Sequence, residues 1–190
     1  MSRVLSMFVV VFVMTGIGFP DNPSILTDID GNTYKTVKIG GQIWMIENLR
    51  VTRDPDGNPI TSYCYGDKED NCTKYGRLYP FEEALKACPK GWHLPSRAEC
   101  QALFAYLGGE EIAGGKLKEG GSSGFEALIA GGRSYRGTFD SLGVYGSFWS
   151  SEEESEKKAW HFGVNVRDSR VGWYPGYKAG SVSVRYIKDK

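Results

Sequence analysis

Acid–base, nucleophilic or metal chemistry in this sequence has to come mainly from two histidines, four cysteines and three runs of carboxylates. A nucleophile needs a base beside it, and a general acid needs a matched base at the same place. His93 stands in a proline-bounded connector and His161 on the polar side of an alternating stretch, with no nucleophile motif around either. Ser150-Ser151 lacks the G-x-S-x-G setting of a nucleophile elbow, and no glycine-rich phosphate loop opens a helix. Asp54-Pro55-Asp56-Gly57-Asn58 offers aspartates to calcium, but the glutamate that closes an EF-hand loop is missing and the run reads as a turn. Asp67, Glu69 and Asp70 read as a solvated loop face, and Glu152, Glu153, Glu154 and Glu156 as a charged surface turn. A carboxylate pair for glycoside hydrolysis depends on a separation that only the folded chain reveals. These patterns give no catalytic residue, no metal and no cofactor.

Binding chemistry is better represented. Trp173, Tyr174 and Tyr177 crowd around Pro175-Gly176, and Tyr135, Arg136, Phe139 and Asp140 lie in an irregular excursion between Tyr135 and Tyr145. Exposed rings of this kind stack on sugars or on partner surfaces; the competing reading has the same rings covering the end of a sheet. The candidate contact set is therefore Tyr135, Arg136, Phe139, Asp140, Trp173, Tyr174 and Tyr177, with Arg136 and Asp140 orienting the ligand by hydrogen bonds.

The elements that must position these residues are centred on Tyr75–Leu107. Pro80 suits a helix start, and Phe81, Ala84, Leu85 and Cys88 then fall at i, i+3, i+4 and i+7 until Pro89 and Gly91 stop the pattern. A second helix opens with Ser96 and Glu99 in capping-box spacing, buries Leu103, Phe104 and Leu107, and ends at Gly108-Gly109. Trp92 and Leu94 pin the connector between them. Before this pair, Tyr34 to Ile39 and Ile43 to Met45 predict a hairpin turned by Gly40-Gly41. Trp44 reads as core, with a ligand platform as its alternative. Lys116-Leu117-Lys118 reads as a helical turn or an exposed loop, and Phe125 to Ala130 as a buried strand. Trp160, Phe162, Val164 and Val166 alternate with His161, Gly163, Asn165 and Arg167, which predicts a strand with one apolar and one polar face. Val182, Val184 and Tyr186 alternate likewise with Ser183 and Arg185, and a turn at Pro-Gly is expected between the two.

The chain has 23 basic and 23 acidic residues, so its net charge gives no argument for nucleic acid or an anionic membrane. The length allows one domain with a real core. Met1-Ser2-Arg3 leads an apolar run from Val4 to Phe19 that Pro20-Asp21-Asn22-Pro23 breaks. It reads as an export signal over residues 1–18, with Gly16 and Gly18 before the cleavage point. The alternative is an uncleaved anchor. A linker over residues 19–27 and one domain over residues 28–189 follow, with no membrane span after cleavage. The expected destination is secretion or a bacterial cell surface. Export and an even cysteine count favour disulfides. Cys64 and Cys72 bracket a short polar loop that is easy to close, and Cys88 and Cys100 bracket the connector. The spacings do not match a C-x-x-C zinc site, with metal as the alternative.

Four blocks of the chain carry a family resemblance: TDIDGNTYKTVKIGGQIWMIENLR, YGRLYPFEEALKACPKGWHLPSRAE, GGRSYRGTFDSLGVYGSFWSSEE and SVSVRYIKD. In this order they resemble the Fibrobacter succinogenes major paralogous domain, covering Thr27 to Asp189. The resemblance implies an exported bacterial domain with a C-type-lectin-like α+β fold: two helices, a twisted mostly antiparallel sheet and long loops. It also implies that Trp149, in a tryptophan-serine-serine block, is packing. Members often carry cysteine where this chain has Tyr186 and tryptophan where it has Cys100. A Cys88–Cys100 pair is thus implied as a replacement for a lost bond. The function expected is an exported non-catalytic binding domain that recognises polysaccharide or a surface protein through aromatic loops. A structural or assembly module of the cell surface and an exported hydrolase are the alternatives.

Overall fold

The computed structural model describes residues 25–190. The export signal expected over residues 1–18, and the linker up to residue 24, lie outside the described residues. In chain order the elements are β1 (Ile25–Thr27), β2 (Thr33–Ile39), β3 (Gln42–Met45), α1 (Glu69–Tyr75), β4 (Tyr79–Pro80), α2 (Phe81–Lys86), β5 (Trp92–His93), α3 (Arg97–Tyr106) and α4 (Glu110–Leu117). They continue with β6 (Gly132–Arg133), β7 (Phe139–Asp140), β8 (Tyr145–Ser155), β9 (Lys158–Asn165), β10 (Val171–Tyr177), β11 (Ser181–Val182) and β12 (Ile187–Lys188). The class is mixed α+β, as expected. Among the described residues no helix is long and apolar enough to cross a membrane.

Both expected helices form. Ser96 Oγ accepts from the Glu99 N–H at 3.2 Å while the Glu99 carboxylate accepts from the Ser96 N–H at 3.0 Å, so the capping box starts α3 where its spacing predicts. Two further helices depart from the sequence reading. The acidic segment at Asp67–Asp70 is not merely a loop: Glu69 and Asp70 occupy the first turn of α1, where negative charge favours the helix dipole. Beyond Gly109, a full helix α4 forms despite Gly114 and Gly115 in its interior, residues of poor helix propensity. Tertiary contact overrides that propensity. The Ser169–Arg170 backbone passes directly against Gly114, where a Cβ would lie 2.8 Å from the Ser169 carbonyl, and the Gly115 N–H donates to that carbonyl at 3.0 Å.

Three antiparallel sheets replace the one sheet expected. The first has the order β1-β2-β3-β12-β5, so the last strand of the chain closes between early ones. Its hairpin turns at Gly40-Gly41 as predicted, with Gly40 at φ +59°. The second is a β8-β9-β10 meander. The third, β4-β11-β6-β7, is made of two-residue strands. Segment Val171–Tyr177 is continuous strand, not a turn. Pro175 is tolerated there because β10 is an edge strand. One apolar core gathers Trp44, Phe104, Phe125, Phe148 and Phe162, and a second gathers Tyr34, Met45, Tyr79, Phe81, Trp149 and Tyr186. Trp44 and Trp149 are thus packing.

Arg185 departs most from its sequence reading. The alternation put it on a polar face, yet it is 1% exposed. Its Nε donates to Asn48 Oδ1 at 2.8 Å, Nη2 donates to the Glu126 carbonyl at 2.6 Å, and Nη1 donates to the Phe125 carbonyl. Its guanidinium also lies 4.4 Å from the centre of the Phe125 ring. Glu126 takes a left-handed conformation, φ +52°, which turns two consecutive carbonyls toward one guanidinium. For that reason residues 125–130 are buried at Phe125, Ala127 and Ala130 but do not form the expected strand.

Cys64 and Cys72 form a disulfide. The Cys88–Cys100 pairing is corrected: both are free. Cys100 is buried on α3, while Cys88 directs its sulfur to the Trp92 carbonyl at 2.9 Å. Metal binding at the bonded pair is also removed as an alternative. Cys64, Cys72 and Glu69 come within 4.8 Å of one another, but bonded sulfurs are not thiolate ligands.

Two predictions follow from this packing. Arg185→Leu strands the Phe125 and Glu126 carbonyls and should cost about 3–5 kcal/mol, read as a Tm lower by about 10 °C. Arg185→Lys should recover only part, because an ammonium cannot reproduce the planar fork; an unchanged Tm in the leucine variant would refute the role. Alkylation of the unfolded, unreduced protein should place label on Cys88 and Cys100 and none on Cys64 or Cys72, as read by peptide mass spectrometry. Reduction should then lower stability by roughly 2–3 kcal/mol, the loop-closure value for a bond of this short span.

Candidate functional site

A cavity of about 250 Å³ lies between the third sheet and the β8-β9-β10 meander. Arg133, Ser134 and Tyr135 from the β6 end, Asp140 from β7 and Ser181 and Val182 from β11 line one side. Tyr145, Ser147 and Trp149 from β8, His161 from β9, and Gly176 and Tyr177 from β10 line the other. Its size is just below the roughly 300 Å³ at which drug-sized sites begin, enough for one ring and not for a long chain segment.

Local sequence explains the shape. Gly131 takes φ +65° and lies so close to the Leu142 N–H that a Cβ would approach to 2.7 Å, letting β6 and the chain after β7 close the back of the site. The face of the meander that reads as polar is instead covered by rings over glycines. Tyr145 lies over Gly163, and Tyr174 lies over Gly172. His161 is consequently enclosed. It stacks on Tyr174 at 5.9 Å and meets the edge of Trp149 at 5.5 Å.

Polar atoms of this cavity are among the buried ones that lack a partner. Ser181 is 0% exposed, and its Oγ has no hydrogen-bond partner. His161 Nδ1 is also buried without a partner in hydrogen-bonding geometry. Burial pulls the His161 pKa down to about 4, against a smaller opposing pull from the Phe162 backbone. The ring is therefore neutral at neutral pH and offers one N–H and one lone pair. A buried polar group without a partner carries an uncompensated desolvation cost, which a hydrogen bond from a bound molecule would offset.

The seven sequence-selected residues divide. Tyr135 and Tyr177 meet at the mouth with ring centres 4.4 Å apart, and Asp140 lines the same cavity. Arg136 sits on the rim, its Nε donating to Tyr135 Oη at 2.9 Å. Phe139 stands behind the wall, 5.3 Å from the Tyr65 ring. Tyr174 borders a second, more polar cleft of about 280 Å³ with Glu111, Asn165, Asp168 and Arg170. Trp173 is not brought to the site. Adjacent strand residues point to opposite faces, so Trp173 turns inward to Phe104 and Phe162, at 5.9 and 6.1 Å, while Tyr174 turns outward. Arg133, His161 and Ser181 were missed. A signal for Arg133 existed in Gly131-Gly132, which marks close backbone approach; nothing in the sequence marks Ser181.

The other chemical candidates are occupied. Asp54 Oδ1 accepts from the Asp56 and Asn58 N–H groups at 3.0 and 2.8 Å, closing a turn on itself. Ser150 is buried, donating to the Trp160 carbonyl at 3.0 Å. Glu153 pairs with Lys178 on the exposed hairpin end of β8. His93 is held between Asp189, at 2.6 Å from Nδ1, and Glu99, at 3.0 Å from Nε2. Neither ring nitrogen is free to take a proton from a nucleophile. The cluster joins the chain end to the start of α3.

A family model, the Fibrobacter succinogenes major domain, matches residues 37–188. No curated protein and no solved structure matches the chain.

The His93 cluster sets a pH dependence of stability. Partial burial lowers the His93 pKa, but hydrogen bonds to Asp189 and Glu99 outweigh it, leaving a value raised from 6.5. Burial raises that of Glu99, while hydrogen bonds from Ser96 and His93 outweigh it and leave it below 4.5. A raised histidine contributes fully below its unfolded pKa and loses this as pH rises through the folded value. A lowered carboxylate contributes fully above its unfolded pKa and loses this as pH falls through the folded value. The cluster is therefore strongest between about pH 4.5 and 6.5, the two unshifted values. With side chains 39% and 29% exposed, solvent screening keeps the effect below about 1 kcal/mol. Denaturation curves from pH 6 to 8.5 should show the wild type losing this increment and His93→Gln losing none; parallel curves would refute it.

Proposed function

We propose that this chain, which belongs to the Fibrobacter succinogenes major domain family, is an exported non-catalytic binding domain of C-type-lectin-like kind that takes one sugar unit of a polysaccharide into the cavity between its third sheet and its meander. The observation that carries this reading is Ser181 Oγ, fully buried and unpartnered at the wall of a cavity whose mouth is a pair of tyrosines. A sugar ring has the complementary chemistry. Its C–H face stacks on Tyr135 or Tyr177, and its hydroxyls, each donor and acceptor, suit a serine hydroxyl and a neutral imidazole.

The lectin-like assignment is supported by the strand order of the first sheet, which brings the two ends of the domain together and leaves the middle of the chain to build the loops and the site. The non-catalytic assignment is supported by the lining: Asp140 is the one carboxylate side chain there, whereas glycoside hydrolysis uses two, about 5–10 Å apart. Export is supported by the Cys64–Cys72 bond, which persists in oxidising compartments.

Binding of the purified protein to a panel of plant and microbial polysaccharides tests the reading by calorimetry. Saturable binding is expected, with affinity lowered at least about tenfold in Tyr177→Ala and in Ser181→Ala, the loss of one good contact each. Tyr106→Ala, on an exposed helical position far from the site in sequence, should bind as the wild type does. Equal binding by wild type and Ser181→Ala would refute the cavity as the site.

A further inference from the structure

Arg133 and Asp140 are the charged side chains that line the cavity. Arg133 lies with its guanidinium carbon 3.9 Å from the centre of the Tyr63 ring and 5.8 Å from that of Phe139. Among the described residues it has no ion pair and no side-chain hydrogen bond. Aromatic contact holds a guanidinium by its face and leaves its N–H edge for a planar anion. The two rings of the mouth carry cations as well: Arg136 is 5.3 Å from the centre of Tyr135, and Lys158 Nζ is 5.2 Å from that of Tyr177. Neither cation has a carboxylate partner among the described residues, whereas Lys178 nearby is engaged by Glu153 and Glu82. Asp140 is the opposing charge. Arg133 thus lines, without an ion-pair partner, a cavity that also holds an unpartnered buried serine, and two further cations lie over the rings at its mouth.

Resting on the binding reading above, we infer that the ligand is an acidic saccharide, its carboxylate or sulfate held by the free edge of Arg133 while its ring lies against the Tyr135–Tyr177 mouth. Arg136 and Lys158 raise the local concentration of such a polymer and make its capture dependent on ionic strength. Ser181 and His161 act on hydroxyls, so they contribute to acidic and neutral sugars alike. The charge on the sugar is read by Arg133.

The test uses the full chain and matched polymers: oligogalacturonate and glucuronoxylan against their carboxyl-reduced forms, and a sulfated galactan against its desulfated form. At low salt, at least one acidic polymer should bind about tenfold or more tightly than its neutral counterpart, and the carboxylate and sulfate arms identify which anion is preferred. Arg133→Gln should abolish that preference, bringing the ratio of acidic to neutral affinity down to about one; a ratio kept at the wild-type value would overturn the inference. Arg136→Ala and Lys158→Ala, at surface positions that leave folding intact, should each weaken acidic binding two- to fivefold and flatten its salt dependence. Neutral binding that depends on Tyr177 and Ser181 without any acidic preference would overturn this inference and leave the binding reading standing. Absence of binding to every polymer would overturn both.

Discussion

The structure depends on a cation that water cannot reach. Burying an isolated guanidinium is expensive, and burial draws the Arg185 pKa down to about 9, which still leaves it charged at neutral pH. The cost is offset because three separate pieces of chain converge on it: Asn48 after the first hairpin, the Phe125–Glu126 bend with the Phe125 ring, and the Phe148 ring of β8. Asn48 passes the connection on, donating from Nδ2 to the Tyr75 carbonyl and to Ser183 Oγ at 2.9 and 3.1 Å. Ser183 follows β11, and its N–H donates to the Ser147 carbonyl of β8. One side chain near the end of the sequence thus fixes how the first sheet, the meander and the short third sheet meet. The cavity lies where two of those sheets face each other.

A second constraint shapes the meander. Its outer face carries glycines at 163, 172 and 176, positions that would weaken a strand by themselves. Large rings fill the space they leave, and the rings in turn shield His161. This converts a half-solvated sheet into one covered on both faces, which is why a histidine drawn to a polar face by period-two alternation ends with a depressed pKa beside a tryptophan.

Much of the local structure was legible because it follows from short-range chemistry. The Gly40-Gly41 hairpin, the Ser96–Glu99 capping box and the Cys64–Cys72 closure each depend on neighbours within a few residues. The features that escaped depend on partners far away in sequence. Arg185 occupies a position whose alternation assigns it to solvent, and only the bend at Glu126, some sixty residues earlier, reverses that. Helix α4 forms across two glycines because the backbone at Ser169 needs their room. Aromatic enrichment selected Tyr135 and Tyr177, which the fold brings to the mouth of one cavity, but composition carries no orientation. Trp173 and Tyr174 look equivalent in sequence and face opposite ways on one strand. Ser181 is one serine among many until a strand pairing places it at the wall of a cavity.

The disulfide joins the covalent structure to the site. Cys64 lies between Tyr63, whose ring supports the Arg133 guanidinium, and Tyr65, whose ring packs on Phe139 and against the backbone at Gly131. Both tyrosines therefore belong to the short segment that the Cys64–Cys72 bond ties to α1. The same segment is also held by Asn71 Nδ2 donating to the Tyr65 carbonyl at 2.8 Å and by the Tyr65–Phe139 contact. The bond restricts the alternatives open to it, and with them the positions open to Arg133. The oxidised pair thus ties to α1 the segment whose Tyr63 ring lies against the Arg133 guanidinium.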